Sequence, residues 1–543
     1  MNESLSHSSA PIILDACKKL KQLLHSSFGP MSFHKLIVKY HQHVNPEMIY
    51  TNDGATIVRS LPIVNPIGKI LCDLSKTQEE LAGDGTTGVI LLCCELVLRS
   101  IEDLHLKQLL PLEVICNYLF ILKNVWMNSF ERMRSLESEK ISRLIFSDRD
   151  SIFRMTQNAL QSKDIRYMAN HFSNILVDCF AQKIPKQRKF HCIAGGQLND
   201  SFGFRGLFCN VTHSSFSSRF YHSQNLQARF KKCNKILLLG RKNQNVNNFE
   251  RSLWKSIFQT ASTYDGGIII FMEGAFPNFH ISYHKDSAVF IFDNMTPKIL
   301  HQMSVCFDFP ILKMGSVSQI SIDDLFSIPA KTRSEDCPTI QCIAGNMFVR
   351  ISNTCQDLYH FVLRGPSDTI VQETKRSLKD AYEIIKNHFA LEKCNDIQSQ
   401  HYLCGGGCHI EFQLWADIIR ENSQTLVPAN VSEVFGECIL SLPRMILQST
   451  SLSTRENEIL RLKREYLKHD HQNTDHKEGA SCFYGIDLLT SNCNSACFHS
   501  SQSLIVENVL ERFLLEDSRV KQHLVELACE TAITLLRISS VEV

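Results

Sequence analysis

The residues with the clearest chemical potential lie in one short stretch, Gly83-Asp84-Gly85-Thr86-Thr87, directly ahead of an apolar run at 89–94. Glycines allow positive φ angles and close approach to a ligand, and hydroxyl side chains can cap a helix. A helix that starts here would present free N–H groups and its positive dipole end, which suit a phosphate. Asp84 is a hard oxygen ligand of the kind that Mg²⁺ takes beside phosphates. The alternative is a capped turn before a buried helix, because Gly-Asp-Gly is common in turns.

Two further acids, Asp53 and Asp380, are interpreted as lying, like Asp84, in loops or helix ends marked by glycine or adjacent hydroxyls, with a tight turn at 52–54. More glycine turns occur at Gly29-Pro30 and at 405–407. Phosphoryl transfer to water needs N–H groups that hold phosphates, a carboxylate for Mg²⁺ and a carboxylate that orients or deprotonates the water. No Walker A sequence occurs, which excludes a P-loop enzyme. The acids are far apart in the chain, so a fold must gather them. For Asp380, an ordinary exposed helix aspartate is the alternative.

Composition narrows the class of protein. The chain has 543 residues, is 44% hydrophobic and carries a net charge of +1. This length predicts several domains, and the near-zero charge argues against a nucleic-acid partner. No apolar run reaches the length of a membrane span, and the N-terminus lacks the basic-then-apolar order of a signal peptide. We therefore expect a cytoplasmic protein whose 21 cysteines are reduced thiols.

Cysteine and histidine groupings are weak metal candidates. Cys404-x3-Cys408-His409 and Cys493-x3-Cys497 lack the paired Cys-x2-Cys spacing of zinc sites. The charged, histidine-rich segment 454–480 is typical of a solvated loop. No metal bound by thiols is predicted.

The elements that would position these residues follow from hydrophobic periodicity. Residues 11–28 predict an amphipathic helix, and further helices are predicted over 368–388, 410–419 and 520–536. Between 206 and 355 lie four apolar cores, at 235–239, 267–271, 288–292 and 309–312, with helical segments between them such as 248–262 and 296–303. Short apolar strands that alternate with helices predict an α/β unit with a buried, partly parallel sheet. We expect this unit to be inserted into a mainly helical domain.

Several segments, in order and spacing, resemble the group II chaperonin family (TCP-1/CCT and the archaeal thermosome). In the first half they are 51–56, Asn65-Pro66, 74–78 and 83–87. In the second half they are 363–368, 376–381, 405–408 with Glu411, 484–487, Val520-Lys521 and 530–538. The resemblance covers nearly the whole chain, strong at both ends and faint over 141–355.

That resemblance implies a multidomain α/β protein with a mainly helical equatorial domain, a split intermediate domain and an inserted α/β apical domain. The implied boundaries are 1–140 and 395–543 for the equatorial domain, 141–205 and 356–394 for the intermediate domain, and 206–355 for the apical domain. The implied cofactors are ATP and Mg²⁺. Asp84 would bind the metal, and Asp53 and Asp380 would position the hydrolytic water. The implied nucleotide-binding residues are Gly29, Pro30, Gly54, Gly83, Gly85, Thr86, Thr87, Gly406, Gly407 and Asp487.

Three departures from the family pattern bear on activity. Gly29-Pro30-Met31-Ser32-Phe33-His34-Lys35 replaces the usual Gly-Pro-x-Gly-x-Asp-Lys, so Ser32 adds a Cβ and His34 removes a carboxylate. The stretch from 239 to 267 is shorter than the family's helical protrusion, which argues against a lid. The C-terminus lacks the usual Ile-Asp-Asp ending.

Local segments at 65–71, 90–94, 405–408 and 530–539 resemble the McKusick–Kaufman/Bardet–Biedl chaperonin-like group of the vertebrate cilium. We therefore expect an ATP-binding chaperonin-like protein that assists client folding or assembly of ciliary complexes such as the BBSome, at the centrosome or basal body. The alternative is a divergent ATP-hydrolysing subunit of the cytosolic TCP-1/CCT ring, which acts on clients of the actin and tubulin type. Partners would be non-native clients and other chaperonin subunits. A structural α/β protein with incidental glycine turns is the third alternative.

Overall fold

The computed structural model of the chain describes the following residues: 9–29, 32–40, 46–104, 111–133, 149–161, 163–181, 184–210, 233–240, 267–274, 289–307, 311–313, 339–344, 346–352, 357–391, 403–422, 429–449, 452–468, 483–487, 505–506, 508–512 and 514–538. These residues form two compact units. Unit 1 combines Met1–Asn174 with Gln372–Val543, and unit 2 is Ile175–Val371. The protein is therefore mixed α/β and multidomain, as predicted, and the five-segment division stays a prediction.

Regular helices and strands are numbered in chain order. The α-helices of the described residues are α1 Ala10–Leu24, α2 Gly54–Ser60, α3 Pro66–Ala82, α4 Thr86–Arg99, α5 Pro111–Phe120, α6 Arg149–Gln161, α7 Ala169–Phe180, α8 Pro297–Phe307, α9 Asp368–Leu391, α10 His409–Asn422, α11 Ala429–Ile439, α12 Ser441–Ile446, α13 Leu452–Lys468 and α14 Ser518–Leu536. The strands are β1 Lys35–Lys39, β2 Glu47–Thr51, β3 Gln187–Ala194, β4 Phe202–Asn210, β5 Cys233–Gly240, β6 Gly267–Met272, β7 Val289–Phe292, β8 Leu312–Lys313, β9 Thr339–Ile343, β10 Asn346–Ser352, β11 Leu358–Gly365, β12 Leu403–Gly405, β13 Gly485–Ile486, β14 Ile505–Val506 and β15 Leu515–Asp517.

Unit 1 is built around α4, which is apolar on every face and buried from Thr86 to Leu98. A helix of that kind must be surrounded by other elements. Helices α1, α3, α11 and α14 pack around it. The predicted helix at 11–28 is confirmed over α1, where Ile13, Cys17, Leu20 and Leu24 form the buried stripe, and it ends in a 3₁₀ turn at His25–Ser27. The stretch 83–87 therefore leads directly into the central helix of unit 1.

Unit 2 contains two sheets. One is five-stranded and mixed, in the order β3-β11-β4-β10-β9. The other is four-stranded and parallel, in the order β7-β6-β5-β8, and its strands overlap the four apolar cores predicted as strands, of which residues 288 and 309–310 lie outside the described residues. The predicted helix near 296–303 is α8, whereas the predicted helix at 248–262 lies outside the described residues. The partly parallel α/β unit is therefore confirmed.

A pair of histidines is enclosed in the mixed sheet of unit 2. The His191 Nε2 and His360 Nδ1 atoms lie 2.8 Å apart, and the ring of Phe204 stacks on His360. Burial, followed by the charge of Lys189, lowers the pKa of His191 to about 4. Burial, followed by His191 and Lys189, lowers the pKa of His360 to about 3. Both rings are therefore neutral in the folded protein at physiological pH.

We expect unit 2 to lose stability as the pH falls from about 6.5 toward about 4, because the unfolded histidines take up protons that the folded ones refuse. Each buried histidine contributes up to about 1.4 kcal/mol per pH unit in that window. Hydrogen exchange of residues 358–365 measured between pH 7 and pH 4.5 tests this. His360→Phe should flatten the dependence, whereas His301→Phe, at an exposed position on α8, should leave it steep. Equal slopes in the two variants would contradict the prediction.

Candidate functional site

Asp53 occupies the N-cap of α2. Its Oδ2 accepts a hydrogen bond from the Thr56 backbone N–H at 2.8 Å. Segment 52–54, which we predicted as a tight turn, is therefore the start of a helix. An N-cap carboxylate satisfies a backbone donor that the helix leaves unpaired and interacts favourably with the helix dipole.

The second oxygen of Asp53 joins α2 to α4. Asp53 Oδ1 accepts a hydrogen bond from Thr86 Oγ1 at 2.7 Å. Burial raises the pKa of Asp53, but hydrogen bonds from Thr56 and Thr86 and the charge of Arg376 bring that pKa below its usual value. Asp53 is therefore held as a carboxylate at neutral pH.

The predicted helix start after Asp84 is confirmed, but the expectation that the threonines cap it is wrong. Gly85, with a φ of 80°, is the N-cap residue of α4, and it makes no side-chain cap. Thr86 and Thr87 lie inside the first turn and are buried. The Thr86 hydroxyl is taken by Asp53, which leaves the first backbone N–H groups of α4 as the donors that a phosphate could use.

Gly54 permits the starts of α2 and α4 to touch. A Cβ at Gly54 would lie 2.6 Å from Thr87 Oγ1, 2.7 Å from its Cα and 2.8 Å from its N. Such distances are shorter than any real contact, and two of the atoms are backbone. Gly54 therefore serves the approach of two helix N-termini, whose positive ends reinforce each other toward an anion.

Asp84 lies in the turn between α3 and α4 and is exposed. Its Oδ1 accepts from the Gly85 backbone N–H at 2.7 Å. Gly83, with a φ of 73°, ends α3 in the left-handed conformation, and a Cβ there would meet nothing within 4 Å. An exposed carboxylate beside two helix N-termini suits Mg²⁺, which binds one or two carboxylates and takes its other ligands from phosphates and water.

Asp380 pairs with Lys163. The Lys163 Nζ donates to Asp380 Oδ2 at 2.8 Å, and their side chains are only 23% and 29% exposed. Asp380 lies in the interior of α9, not in the loop or helix end that we predicted. The pair lies within electrostatic reach of Asp84 and Asp53. The structure therefore brings the charges of the three predicted acids within reach of one another, and Lys163 is bonded to one of them, Asp380.

The charges of this acid–lysine cluster (Asp53, Asp84, Asp380 and Lys163) divide the roles of the acids. Burial raises the pKa of Asp380, Lys163 lowers it, and the negative charges of Asp84 and Asp53 raise it again, with a net increase. Burial lowers the pKa of Lys163, but Asp380 and Asp84 raise it overall, so the ammonium stays charged. A pair of acids whose pKa values move in opposite directions fits a division into one fixed anion and one proton acceptor.

The second glycine loop lies against the segments 483–487 and 514–517. The backbone N–H of Ile486 donates to Gly407 O at 2.8 Å. Ile486 directly precedes Asp487, which is buried. Gly407 has a φ of 63°, and a Cβ there would lie 2.7 Å from Ile486 O. Gly406 N donates to Leu514 O at 2.7 Å. Gly406, Gly407 and Asp487 thus form a group of their own.

The first glycine turn borders α4. Phe28 packs its ring on the position of Gly88, and the next residue, Gly29, has a φ of 90° and faces Ile446. Pro30 and Met31 lie outside the described residues. Ser32 Oγ accepts from Asn52 Nδ2 at 2.9 Å. His34 stacks on Tyr50 with ring centroids 4.4 Å apart.

Sequence reasoning missed Lys163 and gave no role to Gln78. Lys163 has no flanking motif, and only the fold carries it to Asp380. Gln78 lies in a segment that carried the family resemblance, but nothing in its spacing showed that its amide would reach Asp84 O at 2.9 Å. Within the described ranges, no three His, Cys, Asp or Glu residues are grouped as a ready-made metal site. No helix in that part of the chain is long and apolar enough to cross a membrane.

The sequence is similar to that of known proteins over most of its length. The sequence matches the TCP-1/cpn60 chaperonin family over residues 20–248 and 332–542. It is 21% identical to T-complex protein 1 subunit alpha of Arabidopsis thaliana, over 96% of this chain and 92% of that protein. Subunit eta of Encephalitozoon cuniculi is 24% identical over 91% of this chain and 93% of its own length. Subunit beta of Arabidopsis thaliana is 24% identical over 96% of this chain and 92% of its own length.

Proposed function

The chain belongs to the TCP-1/cpn60 chaperonin family, and on that premise we propose that it is an ATP-binding chaperonin-like protein that assists the folding or assembly of client proteins. The observation that carries the proposal is that Asp380, paired with Lys163, lies within electrostatic reach of Asp84 and of Asp53, whose carboxylate joins the starts of α2 and α4. Carboxylates, a lysine and free helix N–H groups are what Mg-ATP requires of a protein.

Each residue of the site has a proposed part. Asp84 holds Mg²⁺, and the N–H groups at the start of α4, with Gly85, Thr86 and Thr87, face the phosphates. Asp380 accepts the proton of the attacking water, since its pKa is raised, and Asp53 stays ionised and orients that water. Mg²⁺, when bound, neutralises charge on the phosphate oxygens. Gly29, Gly406, Gly407 and Asp487 are assigned to the rest of the nucleotide pocket.

Two measurements on the purified chain test the proposed function. One is the binding of ATP with and without Mg²⁺. The other follows Mg-dependent hydrolysis of ATP together with the suppression of aggregation of an unfolded client. We expect binding that needs Mg²⁺ and client protection that changes with nucleotide. A chain that binds no nucleotide and protects no client would overturn the proposal.

We expect Lys163→Met to weaken Mg-ATP binding about tenfold, because the site loses a positive charge that attracts the anionic nucleotide. Losing the lysine charge also raises the pKa of Asp380 further, so the acid side of the pH profile of turnover should move to higher pH. Lys76→Met is the control, because Lys76 is an exposed residue on α3 that pairs only loosely with Glu80, at 3.7 Å. An unmoved pH profile in Lys163→Met would contradict the assignment of Asp380.

A specific observation favours a second function, that of an assembly factor with slow or absent hydrolysis. The hydroxyl of Ser32 is bonded to Asn52, the neighbour of Asp53, and His34 is stacked on Tyr50 where the family has an aspartate. Both side chains contact the segment that leads into Asp53, so both changes alter the surroundings of that acid. Turnover of a purified chain at a rate typical of chaperonins would exclude this function.

The partners that we propose are non-native clients and other chaperonin subunits, in the cytoplasm. The hairpin β1–β2 supports a subunit contact, because Leu36, Tyr40 and Met48 on it are 63%, 85% and 60% exposed. Sedimentation of the native complex, with mass spectrometry of its members, separates two cases. Ciliary proteins of the BBSome type would support a ciliary assembly role at the centrosome or basal body. T-complex subunits would support membership of the cytosolic ring.

A further inference from the structure

A chain of polar contacts in unit 1, completed by the backbone between Val520 and Lys521, joins the turn at 83–85 (the phosphate turn) to residues 405–407 (the glycine loop). It begins at Gln78, which is fully buried in α3. The Gln78 Nε2 donates to Asp84 O at 2.9 Å and to Val520 O at 3.2 Å. The same nitrogen lies 2.9 Å from the Cβ position of Gly85, so the amide lies directly beneath the phosphate turn.

The chain continues through the first turn of α14. Lys521, next to Val520, donates through Nζ to Glu411 Oε1 at 2.6 Å and lies 2.9 Å from Glu516 Oε2. Its side chain is 15% exposed and that of Glu411 is 5% exposed. Burial lowers the pKa of Lys521, but Glu411 and Glu516 raise it well above its usual value, so the lysine is charged.

The last link reaches the glycine loop. Glu516 Oε1 accepts from Gly407 N at 3.2 Å, and strand β15, which carries Glu516, pairs with β12 at Leu403–Gly405. A Cβ at Gly406 would lie 3.0 Å from both Glu516 Cγ and Oε1. The junction of β15 and α14 (515–521) therefore contacts both loops, one through Val520 and the other through Glu516.

A buried ion pair adds little net stability compared with apolar residues of the same volume. The presence of the Lys521–Glu411 pair at this position therefore needs an explanation other than stability. Here Lys521 holds the Glu516 carboxylate, which binds the glycine loop. The carbonyl of Val520 holds the Gln78 amide, which binds the phosphate turn. We propose that the junction 515–521 couples the two loops, with Gln78 and Lys521 as its positioning residues. Under the proposed function, on which this inference rests, one loop then tightens when the other is filled.

The test uses hydrogen exchange of the full chain without nucleotide. Gln78→Glu keeps the size of the side chain but turns the donor toward Asp84 O and Val520 O into an acceptor. We expect exchange of the amides in 403–410 to rise about tenfold, the scale of one lost hydrogen bond, although Gln78 touches none of them. Gln157→Glu is the matched control, because Gln157 Nε2 donates to Asn170 on α7, outside this chain of contacts.

Lys521→Met measures the same coupling in reverse, and it also serves if Gln78→Glu does not fold. Coupling is reciprocal, so exchange in 83–92 should rise in this variant by a similar factor. Exchange at 403–410 that stays unchanged in a folded Gln78→Glu, or exchange at 83–92 that stays unchanged in Lys521→Met, would overturn the proposal. Mg-ATP binding by the native chain is measured in parallel, so failure of the proposed function is seen separately from failure of the coupling.

Discussion

Replacing Asp380 with alanine is expected to lower the rate of ATP hydrolysis by about 10²–10⁴-fold while Mg-ATP binding survives, because that is the range for loss of a general base. Removing the carboxylate also removes negative charge near Asp84 and leaves the Lys163 ammonium without its partner. Both changes favour the anionic nucleotide. In this variant, a fluorescent ATP analogue should therefore still bind, whereas the single-turnover rate of hydrolysis should fall.

Asp368→Ala provides a matched control for that result. Asp368 lies on the same helix, α9, but it is exposed in the first turn. It should hydrolyse ATP at the native rate after a small cost in helix stability, about 0.5–1 kcal/mol. Unchanged single-turnover rates in Asp380→Ala would remove Asp380 from the catalytic step.

Gly54→Ala is expected to cost about 2–3 kcal/mol of unfolding free energy and to abolish tight Mg-ATP binding, because the new methyl group would overlap Thr87 backbone atoms. Rigid backbone on both sides cannot yield as a side chain could. Relief requires α2 and α4 to separate, which pulls Asp53 away from Thr86. Urea unfolding measures the cost, and isothermal titration measures the loss of nucleotide.

Gly83→Ala separates crowding from backbone strain. Gly83 has a positive φ, but a Cβ there has open space around it, so only the strain of the left-handed conformation is added, about 1–2 kcal/mol. Mg-ATP binding should persist in this variant. If both alanine variants bind nucleotide equally well, the close approach of the two helices is not what shapes the site.

Local chemistry made part of this site predictable from sequence. Glycines on either side of Asp84 and an apolar run after them specify a turn followed by a buried helix, and α4 begins there. The sequence pattern led to wrong predictions where a side chain bonds to a residue that is distant in the chain. The threonines do not cap α4, because the Asp53 carboxylate, 33 positions earlier, takes the Thr86 hydroxyl. Asp380 lies in a helix interior, where spacing carries no sign of Lys163.

The sequence by itself determined several of the helices and strands, such as α1 and β5 to β7, because periodicity and turn residues act over a few neighbours. It also determined that a phosphate-compatible turn precedes α4. Segment 454–480, predicted as a solvated loop, instead continues helix α13 as far as Lys468. Only the tertiary structure decided that Lys163 pairs with Asp380 within reach of Asp84 and Asp53, and that Gln78 and Lys521 connect two glycine loops. These contacts join residues up to 442 positions apart. Their positions follow from how the helices pack, which is a property of the whole core of unit 1 rather than of any local segment.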